Sequence, residues 1–172
     1  MELKPFDIFL TCDPASGLSG LILRAERALA RDGKAVYSHV NHVDSNGLFL
    51  DTLWKVKHTP PADYNGRPCA IYRPNLPHAD KARALSVIRQ DMGELYPWQR
   101  LPLHLLRLAD NIHWNHLVCS ERTGKLLHLG FRRNGIFLFE KYYGLSPDDL
   151  HDIFRMHYHL FELIFEGVFH AD

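Results

Sequence analysis

Cysteine is scarce in this chain: Cys12, Cys69 and Cys119 stand alone, at wide and irregular spacing. An odd number is a poor disulfide framework, and without a CxxC pair the usual structural zinc site is excluded, so at least one thiol is expected to be free. An excess of either charge is missing too. Twenty Lys and Arg balance twenty Asp and Glu, and no like-charge run occurs, so no net field draws the chain to nucleic acid or to an anionic membrane. No apolar run approaches the roughly eighteen residues of a membrane span. The opening MELKPFDIFLTCDPASG lacks the basic and then apolar segments of a secretion signal. The expectation is a soluble protein with no integral membrane segment, cytoplasmic, of cellular or phage origin. No internal repeat or low-complexity linker divides the 172 residues, which suit one domain, 1–172, with a core of its own.

What is present is mostly strand and helix punctuation. FDIFLTC reads as a short buried strand entering the DPASG turn. Ser19 then caps a helix with Leu18, Ile22, Ala25 and Leu29 as its apolar stripe, stopped by Asp32-Gly33. Val36 to Val43 and LFLDTLWKVKHT read as two strands paired antiparallel across DSNG. PPADYNGRP reads as a loop and CAIYRP as a third strand. Helical spacing recurs from Ala79 to Met92 and from about Val118 to Leu129, and the prolines of Tyr96 to Arg107 predict a loop followed by a short helix. Ser146, Pro147 and two acids open a further helix, and HLFELIFEGVF reads as a closing strand. The expected architecture is α+β, an antiparallel sheet with helices packed to one side.

Twelve histidines are the compositional oddity, and two of them, His39 and His42, sit three apart in KAVYSHVNHV. Strand alternation puts His39 with Tyr37, Asn41 and Val43, and His42 on the other face with Val40. A lone strand histidine usually bonds a backbone group or water at a sheet surface. Cys119 changes the weighing, because it falls where a helix begins and the macrodipole there favours a thiolate. A buried structural cysteine is the plainer alternative. Asp51 follows the DSNG hairpin, where it can lie beside His39 and orient its ring, as in a nucleophile, base and carboxylate triad. An exposed strand aspartate is the other reading.

YSHVNHV and VCSERTG, in this order, resemble the permuted NlpC-like members of the papain-fold cysteine hydrolases, typified by YiiX-like proteins. That family has a YSHVGIV-like strand followed, near the end, by a CSEL-like motif opening a helix. FDIFLTCDPASGLSGLI, the block from Leu48 to Pro74, and LSPDDL are also similar to its pattern, so the likeness spans most of the chain. The resemblance implies a circularly permuted papain-like fold with Cys119 as nucleophile, His39 as general base and Asp51 as the orienting acid where relatives commonly carry glutamate. It places Tyr37 at the border of the active site, where a cross-strand packing tyrosine is the plainer alternative, and leaves His42 unmatched. Asn41 and His42 replace a glycine and an isoleucine of the usual strand, and the apolar residues that follow the glutamate are missing. The implied chemistry is acyl transfer without a cofactor on a peptide, cell-wall-type or lipid-like amide or ester, through a thioester. The backbone N–H of Cys119 is the natural oxyanion donor.

Several other readings compete. A non-catalytic module that keeps the cleft is the main one, since fold alone does not fix function. His113, His116 and Cys119, three apart, could face one metal on a helix, but no matching second cluster accompanies them. Cys12 is a rival nucleophile. Trp54, Trp98 and Trp114 read as packing or pocket walls, and the aromatic C-terminal segment as core. Neither the acyl acceptor nor the oligomeric state is readable.

Overall fold

The computed structural model describes residues 2–13, 17–29, 34–97, 117–139 and 141–171. At its centre lie six antiparallel strands: β1 (Ile8–Thr11), β2 (His39–Val43), β3 (Phe49–Thr52), β4 (Val56–Thr59), β5 (Pro68–Pro74) and β6 (Phe161–Val168). Their spatial order is β4-β3-β2-β1-β5-β6. Among the described residues four α-helices join them: α1 (Gly17–Leu29), α2 (His78–Ile88), α3 (Cys119–Phe131) and α4 (Pro147–Met156). The fold is therefore α+β.

The apolar run at β1 makes it a central strand, buried along its whole length between β2 and β5. Its side chains divide between two cores. Ile8 and Leu10, with Val40 of β2 and Leu50 of β3, pack against Leu85 and Ile88 of α2, Leu126 and Leu127 of α3, and Phe154 of α4. Phe9, Val43, Phe49 and Ile71 face the other way, where Tyr64 and Phe169 cover them. That second core rests on ring contacts, with Phe9 centroids 4.7 Å from Phe49 and 4.9 Å from Phe169. The 3₁₀ turn Pro61–Tyr64 and the chain after β6 cover it in place of a helix. The register pairs Ile8 with His42 and Leu10 with Val40, so directly opposed residues share a face.

Some elements differ from the sequence reading. LFLDTLWKVKHT forms two strands, β3 and β4, that pair with each other around Leu53–Lys55. This turn lacks the usual turn-forming residues because its backbone finds partners elsewhere: Tyr96 N–H donates to the Trp54 carbonyl at 2.9 Å, and Lys55 forms a β-bridge with Leu95. Helix α1 starts at Gly17, before Ser19, which therefore lies inside its first turn. Ile22 and Ala25 are only half-buried, whereas Ser19 and Glu26 are buried. Helix α2 ends at Ile88, and Arg89–Asp91 continues it as 3₁₀. Asp32-Gly33 and the helix expected before Arg107 lie outside the described residues. Helix α4 follows the sequence: Asp149 N–H donates to Ser146 Oγ at 3.0 Å and Ser146 N–H to Asp149 Oδ2 at 2.9 Å, with Pro147 at the first position.

Gly124 lets α3 approach the chain beside it. A Cβ there would stand 2.7 Å from Tyr142 Cβ and 3.0 Å from a Leu145 methyl. Gly124→Ala gains about 1 kcal/mol of helix propensity, but overpacking against a neighbour's Cβ costs about 1–3 kcal/mol. The variant is expected to melt below the parent in calorimetry, and an equal or higher Tm would show that the 142–145 segment gives way freely.

Candidate active site

Cys119 is the first residue of α3, preceded by an extended Val118 (φ −72°, ψ 168°). The two residues that seat this helix end are both buried and both charged. Glu121 is fully buried, accepting from Val118 N–H at 3.3 Å through one oxygen and from Gly144 N–H at 2.8 Å through the other. A carboxylate there satisfies a donor the helix cannot and complements the positive end of its dipole. Arg122 pairs with Asp91, donates to Glu94 Oε2 at 3.2 Å and to Thr52 Oγ1 at 3.2 Å. Its 2% exposure requires such partners, because an uncompensated buried charge costs several kcal/mol. Through these bonds the start of α3 is tied to β3 and to the 3₁₀ segment after α2.

His39 opens β2, and its Nε2 stands 2.7 Å from Asp51 Oδ1. Asp51 has no exposed surface. Its second oxygen accepts from the Tyr64 hydroxyl at 2.5 Å and from Thr59 Oγ1 at 3.2 Å. Burial alone would raise the carboxyl, but His39 and the two hydroxyls hold it below the usual carboxylate range. Cys119 lines the same cleft as His39 and lies close enough to act on the charge of its ring. With Nε2 held by Asp51, Nδ1 is the ring nitrogen left for the thiol. Burial disfavours the imidazolium, yet Asp51 and Cys119 together lift His39 to about 10. The Tyr64 ring lies parallel to the imidazole, within 3° and 6.4 Å between centroids.

The structure thus brings Cys119, His39 and Asp51 together, though by a different route from strand alternation. The side chains that face α3 are Val40 and His42, opposite Leu10 and Ile8 of the helix-side core. His39 shares the parity of Asn41 and Val43, the latter in the second core, and meets Cys119 because it is the first residue of β2, next to the start of α3. His42 is buried beside Arg122, and neither ring nitrogen has a hydrogen-bond partner among the described residues. Burial, then Arg122, pushes it down to about 3, so it stays neutral. Tyr37 does not line the cleft, contrary to the resemblance: its ring packs at 4.9 Å on His151 and its hydroxyl donates to Glu166 at 3.3 Å.

A cleft of about 310 Å³ opens over Cys119 and His39. Apolar Ile22, Leu53, Trp54 and Tyr96 line it together with polar Asp13, Ser19, Ser38 and Arg67. Ser19 and Ser38 hydroxyls bond each other, and Ser19 Oγ accepts from Asp13 N–H at 3.1 Å. Trp54 is 72% exposed at the rim, a wall rather than core. Sequence reasoning missed Tyr64, Thr59 and Arg67. The aromatic and the arginine in PPADYNGRP were the available signal, since turn chemistry does not call for either.

All three cysteines are free. Burial and then Asp13 push the Cys12 thiol up, and burial pushes Cys69 up to about 12, which keeps both protonated. Among the described residues no group of three or more His, Cys, Asp or Glu is placed to hold a metal ion. His113 and His116 lie outside them, as do Trp98 and Trp114. No helix of the described residues is long and apolar enough to cross a membrane.

His42 generates a stability prediction. Unfolded, it takes up a proton near pH 6.5; folded, it refuses one until about pH 3. The unfolded state therefore binds more protons between these values, and His42 makes the fold weaken as pH falls through that window. His42→Leu is expected to equal or exceed the parent by up to about 1–3 kcal/mol at neutral pH and to lose less between pH 7 and 5 in denaturant titrations. Parallel pH curves for the two proteins would contradict it. Comparisons with family models, with curated proteins and with solved structures find no match for this chain.

Proposed function

We propose that this chain is a cysteine hydrolase or acyltransferase of the permuted papain type, cleaving an amide or ester through a thioester. One observation carries the reading: the His39 ring, bonded to a fully buried carboxylate, lines one cleft with the thiol at the start of α3. The chain order fits the permuted arrangement, with the base strand before the nucleophile helix.

The reaction follows from the positions. The Cys119 thiolate attacks the carbonyl carbon, and the oxygen gains negative charge near the Cys119 N–H, which as the first amide of α3 has no partner within the helix. His39, held as imidazolium by Asp51, gives its proton to the departing nitrogen or oxygen as the bond to the carbonyl carbon breaks. A thioester and a neutral imidazole remain. His39 then takes a proton from water, or from another acceptor, as that nucleophile attacks the thioester, and Cys119 leaves as thiolate beside a restored imidazolium. Tyr64 and Thr59 act only through Asp51, as positioning residues.

Cys119→Ser should abolish turnover in a screen of peptide, cell-wall-type and lipid-like amides and esters while the melting profile is kept; parental activity in that variant would sink the assignment. Iodoacetamide should label Cys119 ahead of Cys12 and Cys69, and His39→Ala should slow both labelling and turnover by about 10²-fold or more. Uniform slow labelling, with ligands bound but unchanged, would make the chain a binding module.

The pH profile follows from His39. Its proton is retained up to about pH 10, so turnover should fall as pH rises through that value. The stability that this proton confers is complete below the unfolded value of about 6.5 and is lost as pH rises from there through about 10. Asp51→Asn removes the largest influence raising His39, so its alkaline limb should move to lower pH. An unmoved limb would separate Asp51 from the base.

A further inference from the structure

Arg67 shares the cleft with Cys119 and His39 but has no part in the acyl transfer just derived. Its placement is built rather than incidental. The guanidinium carbon lies 4.7 Å from the centroid of Tyr64, the same ring that runs parallel to His39 and bonds Asp51. Its backbone is fixed on both sides, the N–H donating to Tyr64 carbonyl at 3.2 Å and the carbonyl accepting from Phe169 N–H at 2.9 Å. The head remains 32% exposed, and its ion pair with Asp13 is long, 3.5 Å, with Asp13 itself 34% exposed. A pair of that length and exposure is weak, whereas a planar guanidinium braced on an aromatic face is preorganised for two parallel hydrogen bonds to a carboxylate.

The position on Tyr64 also says which half of the substrate the arginine meets. His39 delivers its proton to the leaving group, and Arg67 sits on the ring beside His39, so a group held by Arg67 belongs to the leaving half. Ile22, Leu53, Trp54 and Tyr96 give the same cleft an apolar lining. Resting on the acyl-transfer reading, we propose that Arg67 selects the substrate by binding a carboxylate on the leaving amine, so that the preferred substrate class is an N-acyl amino acid with an apolar acyl chain.

The test uses a matched pair of ligands, N-octanoylglycine and N-octanoylglycinamide, which differ only in that charge. Titration calorimetry on the full chain carrying Cys119→Ala is expected to show the glycine compound binding about 10-fold or more tightly than the amide, the yield of a charge-assisted pair. Arg67→Met in the same background should erase the difference, and Arg67→Lys should keep part of it, with both melting like the parent. In the protein with Cys119 intact, Arg67→Met should raise KM for the glycine compound about 10-fold more than it raises KM for the glycinamide. Equal affinities, a preference that survives Arg67→Met, or no binding of either compound would overturn the proposal. Carboxylate preference without cleavage of any amide or ester would overturn the acyl-transfer reading and leave the binding assignment standing. Cleavage without that preference would do the reverse.

Discussion

A carboxylate with no contact with solvent is the constraint around which this molecule is arranged. Asp51 lies inside the sheet, where a charge left alone would cost several kcal/mol. Three side chains from three elements compensate it: His39 from the start of β2, Thr59 from the end of β4, and Tyr64 from the 3₁₀ turn that follows. The β3–β4 hairpin and the turn after it are thus folded about one anion. Tyr64 also packs edge-on to Phe9 and Phe49 at 5.4 Å, so the aromatic core on that face and the polarity of the site depend on the same ring. Loss of that ring would disturb both.

The other half of the site depends on two adjacent residues of opposite charge. Glu121 and Arg122 follow Cys119 closely and bind in different directions, the acid to the backbone of Val118 and Gly144, the base to β3 and to Asp91 and Glu94. Consecutive helical positions are about 100° apart, so neighbours in sequence reach different surroundings. The polar stretch after the cysteine therefore acts as a mount for the thiol.

Elements whose signals are local could be read from the sequence. The cap and proline of α4 and the apolar β1 each carry their own instructions, and the structure has them where expected, while β6 forms the closing strand from a stretch that mixes strand and helix signals. The β3–β4 turn could not be read, because its backbone is satisfied by Leu95 and Tyr96, forty residues on. The same holds for the site. Asp51 lies beside His39 because a hairpin places it there, which spacing can suggest, whereas Tyr64 and Arg67 sit in a loop with no periodicity and gain their roles from tertiary contact alone. The pair of histidines is the sharpest case. Alternation correctly sends them to opposite faces, but which one meets Cys119 is decided by where β2 begins relative to α3.

The turn that joins β3 to β4 has a consequence for how this cleft varies. Leu53 and Trp54 point into the cleft and solvent, 38% and 72% exposed, while the backbone at Trp54 and Lys55 is held by the neighbouring segment rather than by those side chains. Exchanging either side chain reshapes the cleft without moving Asp51, a few residues earlier in the same hairpin. What the pocket admits and how Asp51 and His39 are held are therefore separable inheritances, and a lineage of such proteins can diverge in the first while conserving the second.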